Sequence, residues 1–170
     1  MTAVDSHGTC DPRFAGVRAM FERNFQELRE IGAAVAVYVE GQKVVDLWAG
    51  VRDRIGQAPP WTQDSLVNVY SSTKGLAALC VQHLIDRGLL DPEARVAEYW
   101  PEFAQAGKEA IQLQTLLAHR AGLAAITRRL PHQAAYNQEL MASALADQAP
   151  NWAPGTAHGY HAQTFGFLLA

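Results

Sequence analysis

Ser71-Ser72-Thr73-Lys74 puts a hydroxyl and an amine three residues apart. On a helix, residues at i and i+3 share one face, so this spacing brings the two groups together. A serine hydroxyl is a poor nucleophile until a base takes its proton, and a lysine one turn later is such a base. The mouth of a helix also offers free backbone N–H groups and a favourable field to an oxyanion. The chemistry to expect is acyl transfer through Ser71, with Lys74 handling protons and Gly75 letting another backbone come close. The tetrapeptide by itself also fits a helix cap followed by a solvated lysine, so its setting has to discriminate. Over 67–79 a strand-like run enters an amphipathic helix with the serine at its mouth, a position that faces a cleft.

Other chemistries find little support. No G-x-S-x-G elbow is present, so His119 and His161 are not read as parts of a Ser-His-Asp triad; they and His158 are expected to hold turns through hydrogen bonds. No H-E-x-x-H or comparable spacing suggests a metal site, and Cys10 and Cys80 are expected to be unpaired thiols.

Around the motif, Asp11-Pro12 is a good helix start, and a helix over 12–30 has Phe14, Val17, Phe21, Phe25 and Leu28 on one stripe, with Gly32 ending it. Alternation over 33–39 and 44–49, with Gly41-Gln42 between, predicts a β-hairpin. Residues 52–60 suit an exposed connection, and 66–69 a short extended piece. The helix bearing the motif should run from 71 or 72 to 87, with Leu76, Leu79, Cys80, His83 and Leu84 inward and Gly88 at its end. Further helices are expected over 113–119 and 133–146 and from 160 to the end, where the last one stops without a cap.

At 170 residues and 49% apolar content, one domain with a core is expected, spanning 12–170 after a flexible N-terminus over 1–11. A net charge of −3 with scattered basic residues predicts no nucleic-acid partner and no anionic-membrane partner. No apolar stretch reaches the roughly 18 residues of a span, and residues 1–12 lack the pattern of a signal peptide, so a cytoplasmic location is expected.

The motif helix, Leu89-Leu90-Asp91-Pro92 with Val96 and Trp100-Pro101-Glu102-Phe103, the stretch 111–123 from Ile111 through His119 to Leu123, and Trp152-Ala153-Pro154-Gly155-Thr156 leading to Tyr160-His161-Ala162 are four separated segments. In order and spacing, from about 32 onward, they resemble the β-lactamase-like serine hydrolase superfamily, in the branch of class C β-lactamases, D-alanyl-D-alanine carboxypeptidases and family VIII carboxylesterases. The resemblance implies an α+β fold, an antiparallel sheet with a helical region, incomplete at the C-terminus. In that family a Tyr-x-Asn tyrosine joins the serine and lysine; its match is Tyr160, and Ala162 stands where asparagine is usual. A phenol of pKa near 10 costs roughly 4 kcal/mol to ionise at neutral pH, and a nearby lysine cation lowers that cost. Whether Lys74 or Tyr160 is the base stays open at this level.

The replaced asparagine and the missing export signal point to a carboxylesterase working through an acyl-enzyme on Ser71, without a cofactor, on a small ester or amide. The alternatives are a β-lactamase, a D-alanyl peptidase or an acyltransferase on the same scaffold, or a non-catalytic binding module. The family's third motif, Lys-Thr-Gly-like or His-Gly-Gly-like, has no counterpart before Ala170, which implies the N-terminal portion of a longer enzyme. Oligomeric state is left open.

Overall fold

The alternating valines do form a hairpin. In the computed structural model, which describes residues 4–53 and 58–170, strand β2 (Gly32–Val39) and strand β3 (Gln42–Gly50) pair antiparallel, with Val35 opposite Leu47 and Val37 opposite Val45. The turn between them takes Glu40 and Gly41 at φ 49° and 77°. This left-handed pair matches the twist of the strands. Residues 1–3 and 54–57 lie outside the described residues, so part of the connection expected over 52–60 does too.

The stretch expected to be a flexible N-terminus carries a third strand, β1 (His7–Cys10), on the other side of β3, giving the order β1-β3-β2. Its residues are polar or small, so nothing in their pattern predicts a strand; backbone pairing with β3 makes it one. Gly8 is required there, because a Cβ would sit 2.0 Å from the Asp46 carbonyl oxygen.

Asp11 starts the helical segment as expected, its carboxylate accepting the Arg13 N–H at 2.9 Å, and a 3-10 turn over Pro12–Phe14 leads into α1 (Ala15–Glu27). The helix ends earlier than 30. Arg29, not Gly32, takes the left-handed turn at φ 57°, and Leu28, expected on the apolar stripe, lies past the last helical residue and is exposed. Gly32 instead begins β2, where a Cβ would meet the Val51 carbonyl oxygen at 2.1 Å. Phe21 and Phe25 of α1 are buried with Val45, Leu47 and Ala49, the inward residues of β3. Alternation on the strand and three- to four-residue steps on the helix thus meet in one core.

Residues Met1–Asn68 form this unit, and Val69–Ala170 form a second, largely helical one. The second unit contains α2 (Thr73–Asp86), α3 (Val96–Tyr99), α4 (Leu113–Leu117), α5 (Gln138–Asp147) and α6 (Thr164–Leu169). The extended piece expected over 66–69 is not a strand; a 3-10 turn over Tyr70–Ser72 follows it. Gly88, at φ 68°, ends α2 as expected, its N–H bonding Ile85 and the Leu89 N–H bonding Leu84. Asn137 caps α5 through the Leu140 N–H at 3.0 Å. The core of the unit joins Val96, Phe103, Ile111, Leu116, Leu123, Leu145 and Leu168.

The inward stripe expected on α2 is not buried: Leu76 and Leu79 are 60% and 63% exposed, Cys80 and His83 are exposed, and Val81 is the buried residue of the helix. Apolar periodicity marks a face that wants a partner and does not supply one. Lys108, by contrast, is fully buried; its ammonium donates to the carbonyls of Gln105 at 2.8 Å and Gln148 at 2.6 Å and lies 5.3 Å from the Phe103 ring centroid. Burial lowers its pKa, and the nearby Glu109 and Asp147 oppose that. Lys108→Met keeps the stem but leaves two carbonyls without their donor, so a loss of about 1–3 kcal/mol in urea unfolding is expected.

Candidate active site

Ser71 lies in the 3-10 turn that opens α2, and Lys74 in the first turn of the helix proper. The residue before the serine, Tyr70, adopts φ 46°, a conformation that L side chains rarely take. Ser71, the next residue at the mouth of the helix, is exposed. The Lys74 ammonium then donates to the Ser71 hydroxyl oxygen at 3.2 Å, so the i, i+3 pair expected from sequence is in contact.

Tyr160 arrives from the loop before α6, and its ring centroid is 5.2 Å from the Lys74 ammonium. Its phenol is held below the ordinary value of 10.0, first by hydrogen bonding with Ser71; partial burial opposes this, and Lys74 adds a further hydrogen bond and its charge. All three predicted site residues are therefore brought together within the second unit. Ala162, at the usual asparagine position, is exposed and offers no polar side chain.

The loop carrying Tyr160 is laced to the 119–123 turn. Asn151 N–H donates to Gly122, Gly155 N–H to Arg120 and Gly159 N–H to His119, and the Arg120 guanidinium also bonds the Gly155 carbonyl. Two glycines permit this. A Cβ at Gly122, which has φ 78°, would lie 2.5 Å from the Trp152 carbonyl oxygen, and one at Gly159 would lie 2.4 Å from the Trp152 indole.

His161 is fully buried and reads as a neutral ring: Nε2 accepts the Leu123 N–H at 3.0 Å, which leaves Nδ1–H to donate to the Gly159 carbonyl at 2.6 Å. Thr164 donates to the Leu123 carbonyl at 2.6 Å. His119 accepts the His161 backbone N–H on Nδ1 at 3.2 Å. His119 and His161, two of the histidines expected to hold turns, thus hold one another's loops, across 42 residues of sequence. Sequence reasoning missed this pairing, since nothing in the spacing of two histidines 42 residues apart reports it. Among the described residues no group of three or more His, Cys, Asp or Glu side chains is arranged to hold a metal ion.

Burial holds both rings below the usual histidine value of 6.5; His161, His158 and Lys74 push His119 the same way, while for His161 the Gly159 carbonyl opposes and His158 assists. A group whose folded pKa is depressed in this way is protonated more readily in the unfolded chain. Stability is therefore constant above about pH 7 and falls as pH drops through about 6.5, by at most about 1.4 kcal/mol per pH unit for each ring. Urea midpoints measured from pH 5 to 8 check this, and a flat profile across that range would contradict the neutral assignment.

The chain is similar to the esterase/beta-lactamase LipL of Mycobacterium tuberculosis, 43% identical over 163 residues that make up 96% of this chain and 37% of that protein. It superposes on the crystal structure of a family VIII carboxylesterase with a TM-score of 0.92 and 45% identity, covering 97% of this chain and 44% of the other. A penicillin-binding protein homologue from Caulobacter crescentus gives 0.93 and 41%, again covering 97% and 44%. The chain thus spans about two fifths of the length of these relatives, and its three-stranded antiparallel sheet and helices are the corresponding part of their β-lactamase/transpeptidase-like α+β fold. The family model described as Beta-lactamase matches residues 21–170, and the chain belongs to that family.

Proposed function

We propose that the protein is a serine hydrolase that cleaves small carboxylic esters through an acyl-enzyme on Ser71. The observation that carries the reading is the contact of the Lys74 ammonium with the Ser71 hydroxyl, with the Tyr160 phenol alongside. The Ser71 proton passes to the Lys74–Tyr160 pair as Oγ attacks the ester carbonyl. The oxyanion is met by the Ser71 N–H at the mouth of α2, and the proton is returned to the departing alcohol. Water then attacks the acyl-serine, giving up a proton to the same pair, and the acid leaves as Ser71 recovers its hydrogen. No cofactor enters this scheme.

The ester preference is supported by Ala162, which presents no amide to a substrate, and by relatives named as esterases. A β-lactam or D-alanyl amide reading is favoured by the relatives named for β-lactamase and penicillin binding. Rates on p-nitrophenyl butyrate and a chromogenic cephalosporin separate the two, and a tenfold preference for the cephalosporin would reverse the order. Residues 12–170 are proposed as the N-terminal portion of the catalytic domain, acting in the cytoplasm. No helix among the described residues is long and apolar enough to cross a membrane.

A further inference from the structure

His119 grips the segment bearing Tyr160 on both sides. Its carbonyl accepts the Gly159 N–H at 3.1 Å, and its ring Nδ1 accepts the His161 N–H at 3.2 Å, so the residues immediately before and after the tyrosine hang from one side chain and its backbone. The ring also meets the Tyr160 ring edge to face, centroids 5.1 Å apart and planes at 64°, while Phe165 packs against it at 4.7 Å. His119 holds this geometry at φ 57°, a left-handed conformation uncommon outside glycine. Strain of this kind persists where the surrounding contacts over-determine it.

Tyr160 itself is 51% exposed. A phenol with half its surface in water is held by packing on one side only, where its ring meets His119 and Lys74, whereas proton transfer to or from Ser71 requires hydrogen-bond reach. Its aim therefore also depends on the backbone on either side, and the buried His161, locked between Leu123 and Gly159, continues the same anchor.

We infer that His119 is a positioning residue for the proposed reaction: by accepting the His161 amide on Nδ1 and the Gly159 amide on its carbonyl, it fixes the backbone around Tyr160 and aims the phenol at Ser71 and Lys74. The inference rests on the catalytic reading of Tyr160. His119 touches neither the hydroxyl of Ser71 nor substrate in this scheme, and transfers no proton. Misplacement of a reacting group by about 1 Å costs on the order of a hundredfold in rate, which sets the scale of the expected effect.

The test measures kcat and KM for p-nitrophenyl butyrate with the protein in its full reading frame. His119→Ala is expected to lower kcat by about 10- to 100-fold with KM changed less than about threefold. His119→Asn places an acceptor oxygen where Nδ1 stands and tolerates the same φ, so it should recover most of that loss. In a Tyr160→Phe background, His119→Ala should cost less than about threefold more, because the phenol it aims is already gone. If the alanine variant does not fold by circular dichroism, His119→Gln takes its place; its amide reaches toward the Nε2 position and leaves the His161 amide unpaired. An alanine variant with unchanged kcat, an asparagine variant no better than alanine, or a full further loss in the Tyr160→Phe background would each overturn the inference. Tyr160→Phe retaining full activity would instead sink the catalytic reading of Tyr160 on which it stands.

Discussion

Ser71→Ala should abolish covalent labelling by a fluorophosphonate probe and lower kcat/KM for p-nitrophenyl butyrate by at least about a thousandfold. The magnitude follows from the chemistry. Without the hydroxyl no acyl-enzyme forms, and what remains is the oxyanion environment acting on water, a residue of catalysis typically worth about 10³- to 10⁴-fold over the uncatalysed reaction. Ser71 is exposed at the mouth of α2, so its loss leaves no cavity and removes no buried partner; the urea midpoint should move by less than about 0.5 kcal/mol. Loss of turnover with unchanged stability separates a nucleophile from a helix cap, for which the order of effects would be reversed. Continued labelling of the alanine variant at another serine would refute the assignment, and an unlabelled wild-type protein would favour the binding-module reading.

Lys74→Met and Tyr160→Phe should each lower kcat by about 10²- to 10⁴-fold, the range of positioned acid–base groups. The double variant should fall little further than the worse single one. Groups that act as a unit are strongly non-additive, and here one ammonium contacts the Ser71 hydroxyl and sits over the Tyr160 ring. The pH profile carries a sign. Lys74 is one of the groups holding the Tyr160 phenol below 10.0, so its removal should shift the acid limb of kcat/KM toward alkaline pH if the phenolate is the base. Loss of that limb altogether in Lys74→Met, with a residual rate that no longer rises with pH, would assign the proton abstraction to the lysine. Simple multiplication of the two single losses would show that the residues act independently and would break the pairing.

The local chemistry was legible in the sequence because it is local. Ser71 and Lys74 share a helical turn, so three residues of spacing dictate their contact, and Asp11, Gly88 and the alternating Val35, Val37, Val45 and Leu47 carry cap, stop and strand signals within a few positions. Tyr160 was reached through the family resemblance of its segment, not through any periodicity of its own. The match of residues 21–170 agrees with the resemblance drawn from the four segments.

Tertiary structure decided what depends on distant partners. Strand β1 exists because β3 supplies backbone hydrogen bonds to residues with no strand pattern, and Gly32 and Gly159 are set by what lies across from them, a carbonyl and an indole, not by the turns beside them. The burial of Lys108 and the exposure of Leu76 and Leu79 likewise follow from which surfaces meet them. The same is true of the ring of His119, whose Nδ1 finds its donor 42 residues away. Hydrogen bonds and packing between remote segments leave no period or spacing behind, since the chain between them has no fixed length or pattern to obey. Residue order alone therefore determined the contact of Ser71 with Lys74, and only the folded loops decided how Tyr160 is held to them.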